Sequence, residues 1–84
     1  MTHSADVRDY CVRHYIEPAR AKGEKLIAIR TGDVHEAMGY QNRLPLVCGA
    51  IGAEIFSRTN NLSRTAIDGP VNGANTIYRF ELLA

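Results

Sequence analysis

The sequence predicts an α+β domain in which three helices and a short strand precede a C-terminal β-hairpin. Three observations carry that reading. Apolar residues recur at helical spacing over two stretches, the six-residue run "KLIAIR" is too short and too β-branched for a helix, and the last third alternates apolar and polar residues around an Asn-Gly pair. Eighty-four residues supply one small core and not two, so residues 1–84 are read as a single domain. With 45% hydrophobic and 23% charged residues and no block of like charges, the composition is that of a globular chain, not a disordered one.

The first helix is expected from Ser4, a candidate N-cap, because Val7, Cys11 and Tyr15 recur every four residues while Arg8, Asp9, Arg13 and Glu17 fall mostly elsewhere. Pro18 has no N–H to bond residue 14, so the helix either kinks there or restarts with Pro18 in its first turn, and Gly23 closes it. "KLIAIR" adds an edge to a small sheet. Thr31 is expected to cap a second helix, "GDVHEAMG", with Asp33 and Glu36 near its positive start, Gly39 as its left-handed stop, and Val34, Ala37 and Met38 on its buried side.

The third helix follows the turn "MGYQN". Asn42 or Leu44 caps it and Pro45 sits in its first turn, where a missing N–H costs nothing. Leu44, Val47, Cys48, Ile51 and Ile55 form its inward stripe, and Leu46, Gly49, Ala50, Ala53 and Glu54 make an opposite side that is small and nearly uncharged. Two strands end the chain, one near Arg64 to Val71 and one in "NTIYRFELL". Asn72-Gly73 suits a two-residue type I′ turn between them, and Asp68-Gly69-Pro70 would loosen the hairpin and lengthen its tip.

Charge excludes little. The net charge is +1, and residues 31–61 hold Arg43 and Arg58 against Asp33, Glu36 and Glu54, so no basic patch advertises nucleic acid. Metal and catalytic chemistry find no constellation. Cys11 and His14 lie three apart on a helix with no further pair to complete a tetrahedral set. Asp33, His35 and Glu36 are neighbours that point apart, and no phosphate loop, nucleophile elbow or dinucleotide fingerprint is present. The chain is therefore expected not to be an enzyme and to need no metal or cofactor. No apolar run approaches the roughly 20 residues that span a bilayer, and "MTHSADVRDY" lacks the layout of a secretion signal. A cytoplasmic location with no membrane association is expected, with Cys11 and Cys48 reduced and "NLS" at Asn61 to Ser63 unglycosylated.

Helix, strand, helix, turn, helix and hairpin in that order, with Gly39 between two short helices in "MGYQNRLP", resemble the winged helix-turn-helix domain over nearly the whole chain. The stretch "RTGDVHEAMGYQNRLPLVCGAI" also looks like small prokaryotic proteins of this fold. The resemblance implies a DNA-binding protein, a small transcriptional regulator that lays the helix after Asn42 in the major groove of double-stranded DNA and acts as a homodimer. By position, it assigns the groove face to Gln41, Asn42, Arg43, Leu46, Gly49 and Ala50. Gln and Asn suit adenine, Arg suits guanine, and Leu46 or Ala50 a thymine methyl. Arg58 and Arg64 would hold phosphate, and Asn72 and Asn75 of the wing would reach a groove. Val12 and Ile16, off the main stripe of the first helix, offer a dimer surface. The alternative is a protein-interaction or dimerisation module that binds no nucleic acid and docks through Leu46, Gly49 and Ala53.

Overall fold

A long N-terminal helix, α1, packs across two shorter helices, and a three-stranded antiparallel sheet closes the other side of the core. The computed structural model describes residues 3–70 and 72–83. Its element order is α1 (residues 3–21), β1 (Leu26–Arg30), α2 (Thr31–Ala37), α3 (Leu44–Gly52), α4 (Glu54–Thr59), β2 (Leu62–Asp68) and β3 (Ile77–Leu82). The architecture is α+β, as the sequence predicts.

α1 contains one π turn, Val12–Ile16, between α-helical His3–Cys11 and Glu17–Ala21. Ser4 lies inside the helix and is not its cap. The wide turn answers the Pro18 problem: the Glu17 N–H reaches back to the Val12 carbonyl, and Pro18 enters the first turn of the following α-helical segment, where no donor is missed. The turn also advances the helix phase by one residue. The buried positions are Val7, Cys11, Ile16 and Ala19, so Ile16 replaces the expected Tyr15 in the core and cannot serve as a dimer surface. Gly23 supplies the left-handed stop, at φ +73°.

β3 is the central strand, with the order β1-β3-β2. β1 runs in unbroken antiparallel register from Leu26 opposite Glu81 to Arg30 opposite Ile77. β2 carries a register shift between Arg64 and Ala66. Alternation then divides the faces: Tyr78, Phe80 and Leu82 point into the core while Arg79 and Glu81 face solvent. Phe80 meets the ring of Phe56 edge to face at 5.7 Å, and each fully buried side chain of this kind contributes about 1.5–3 kcal/mol.

α3 stops at Gly52, and Ala53, in an extended conformation, starts α4. Among the described residues four helices therefore stand where three are expected. The inward stripe holds at Val47, Cys48 and Ile51, but Ile55 is on the separate helix and is exposed. A Cβ at Gly52 would lie 3.1 Å from the Tyr78 ring, so an internal contact explains this glycine. Cys11 and Cys48 are both free and buried.

Thr31 does not cap α2. Arg30 is the N-cap, and Thr31 is fully buried. The orphan donors at the helix start are met instead by the loop between β2 and β3: Thr31 N–H donates to the Thr76 carbonyl and Gly32 N–H to the Ala74 carbonyl, both at 2.9 Å. A side chain on Gly32 would meet the Ala74 oxygen at 2.5 Å, which explains the glycine. Of the expected buried side of α2, Val34 is buried, Met38 half-buried and Ala37 exposed.

Candidate nucleic-acid interface

α2 and α3 are joined by residues 38–43. Gly39 ends α2 at φ +71°, and Asn42 is left-handed at φ +57°, a conformation asparagine tolerates. Besides the backbone bonds from Gly39 to Glu36 and from Tyr40 to His35, the turn is held by a side-chain contact that the sequence does not signal. The Arg43 N–H donates to His35 Nε2 at 3.1 Å, so this histidine is an acceptor fixing the entry to α3. The ring of Tyr40 stands edge-on to both His3 and His35. Arg43 itself is the N-cap of α3.

Along the outer side of α3, Gln41, Asn42, Arg43 and Gly49 are exposed and Leu46 is half-buried. Nothing lies within 4 Å of a Cβ built on Gly49, so no internal packing accounts for that glycine. Ala50 departs from the expected groove face. It is 2% exposed, since residues 47, 48, 50 and 51 all turn inward where α1 crosses α3, and Arg8 of α1 donates to the Ala50 carbonyl. A thymine methyl cannot reach it.

The arginines are dispersed. Arg64 Nη1 donates to the Gly52 carbonyl at 3.0 Å, closing the C-terminal end of α3. Arg58 pairs with Glu54. Arg30 bridges Asp33 at 2.7 Å and the Asn75 side-chain oxygen at 2.6 Å. Among the described residues the guanidinium of Arg43 has no such partner. Arg43 and Arg64 mark opposite ends of α3, which spans about 13 Å at the usual helical rise.

The expected wing is not a free tip. Asn72 has φ +56° but Gly73 is not left-handed, so the pair does not form a type I′ turn. Residues 69–76 make a longer loop folded against the start of α2, as the Asp68-Gly69-Pro70 run suggests; Val71 lies outside the described residues. The Thr31 hydroxyl donates to the Gly73 carbonyl at 2.6 Å, the Gly73 N–H donates to Thr76 Oγ1 at 3.1 Å, and the Thr76 hydroxyl donates to the Pro70 carbonyl. Asn75 is engaged by Arg30, whereas Asn72 is exposed.

No protein-family profile, curated protein or solved structure matches the chain. Among the described residues no helix is long and apolar enough to cross a membrane, and no group of three or more His, Cys, Asp or Glu side chains is placed to hold a metal ion.

Proposed function

We propose that this chain is a winged helix-turn-helix DNA-binding protein, a small transcriptional regulator that reads the major groove with the N-terminal end of α3. The element order and the pairing of β1 with β3 beside the α2–turn–α3 unit support the fold assignment. The observation that carries the function is the rim formed by Gln41, Asn42 and Arg43: all three are exposed, and the Arg43 guanidinium has no side-chain or carbonyl partner among the described residues. An amide and a guanidinium at the start of a helix have the donor and acceptor geometry for adenine and guanine edges. Open space over Gly49 lets the helix approach the sugar-phosphate surface closely.

Phosphate neutralisation drives most non-specific affinity. With Arg58 paired to Glu54, one copy binds weakly, and the regulator acts as a homodimer. Fluorescence anisotropy against a randomised duplex pool at two salt concentrations tests this. Salt-dependent binding that enriches one sequence supports the reading, and no binding at low salt rejects it. A rejection would favour an interaction module docking through Leu46, Gly49 and Ala53, a reading supported by the lack of charge at these three positions.

A further inference from the structure

The two edges of the sheet differ. β2 is interrupted by its register shift at Arg64/Ala66 and presents Ser63, Arg64 and Thr65, features that discourage pairing with another strand. β1 has no proline and no irregularity between Leu26 and Arg30, and its Leu26, at 67% exposure, is the most exposed large apolar side chain of the described residues.

The direction of the backbone groups follows from two bonds. Leu82 N–H donates to the Lys25 carbonyl at 2.7 Å and Thr31 N–H to the Thr76 carbonyl at 2.9 Å. Polar groups of successive residues alternate sides in an antiparallel ladder, so odd-numbered residues from 25 to 31 face β3. The N–H groups of Leu26, Ala28 and Arg30 and the carbonyls of Leu26 and Ala28 therefore point away from the sheet, where among the described residues β1 has no neighbouring strand.

We propose that this outer edge pairs antiparallel with the β1 edge of a second copy of the chain, joining the two sheets into one across a twofold axis. Charge selects the register. With the axis at Ile27, Leu26 lies opposite Ala28 of the second copy, and Glu24, which precedes β1 and donates its N–H to the Ala19 carbonyl, brings its carboxylate beside the second copy's Arg30, an ion pair that the symmetry repeats. Shifting the axis to Ala28 sets Leu26 against Arg30 and leaves Glu24 without a cation. Arg30 can take the extra partner because its guanidinium carries five N–H donors and, among the described residues, bonds Asp33 and Asn75 alone. Leu26 then covers the small Ala28 of the second copy, removing the most exposed apolar side chain from water. This pairing does not depend on DNA binding.

Sedimentation equilibrium of the full chain without DNA, over a wide concentration range, tests it. Ala28→Pro removes an N–H that points away from β3, so it blocks edge pairing while sparing the ladder within the sheet. Leu26→Lys charges the edge and asks nothing of the backbone. The wild type is expected to show a monomer–dimer equilibrium, and each variant to raise its dissociation constant by about tenfold or more with an unchanged circular dichroism spectrum. Should Ala28→Pro unfold, Leu26→Lys alone decides. Amide exchange at Leu26 and Ala28 should slow as the wild type is concentrated. A wild type that is monomeric at every concentration, or a dimer that survives Leu26→Lys unchanged, overturns the proposal.

Discussion

The Arg43 backbone N–H and the His35 Nε2 meet at 3.1 Å across the turn that joins α2 to α3. The donor is the amide, so Nε2 of the ring is the acceptor. His35→Phe keeps a ring beside Tyr40 and removes the acceptor. It should cost about 1 kcal/mol in a urea titration and accelerate exchange of the Arg43 amide. An unchanged Arg43 exchange rate would mean that the bond is not made in solution.

The start of α2 depends on the loop between β2 and β3. Thr31→Val preserves shape but leaves the Gly73 carbonyl without its hydroxyl donor, with an expected loss of about 1–3 kcal/mol. Gly32→Ala forces a methyl against the Ala74 oxygen and should cost a similar amount, about 1–3 kcal/mol. Urea midpoints check both, and a neutral Gly32→Ala would show that the loop is not seated on α2.

If α3 reads DNA, its two ends act differently. Arg43→Ala should lose about 1–3 kcal/mol at a single base position. Arg64→Ala should weaken binding to all sequences and flatten the salt dependence. Binding titrations across point-substituted duplexes separate the two, and equal losses on every sequence for both variants would remove Arg43 from base reading.

Burial pushes the Cys11 thiol from its ordinary 9.0 up to about 12. A thiol raised in the folded state stays protonated while the unfolded chain ionises, so stability is undiminished below about pH 9 and declines as pH rises toward 12. Cys11→Ala should flatten that alkaline decline, measured as urea midpoints between these limits. In the same way, Cys11 should resist a thiol reagent near neutral pH until the protein is unfolded.

Much of the fold is legible because periodicity and punctuation are local signals. The alternation of Tyr78, Phe80 and Leu82 and the stops at Gly23 and Gly39 can be read directly from the residues. What escapes the reading depends on a local change of helix phase or on partners distant in the chain. A four-residue stripe points to Tyr15, and only the wide turn before Pro18 brings Ile16 inward. Thr31 has the composition of a cap but is claimed by carbonyls 42 and 45 residues away. At the site, the exposure of Gln41, Asn42, Arg43 and Gly49 agrees with their expected side of α3, whereas Ala50 is buried because the crossing of α1 is broader than a single helical stripe implies.

The seating of residues 73–76 on α2 also orders events during folding. The donors of Thr31 and Gly32 wait for acceptors made more than forty residues later, and such distant closures are slow relative to local helix formation. On a ribosome, therefore, α1 can form while the donors at the start of α2 still lack their acceptors, and the α2–turn–α3 unit matures only when the hairpin has left the exit tunnel. A chain cut after Asp68 would keep every residue of that unit and still lack the acceptors that start it.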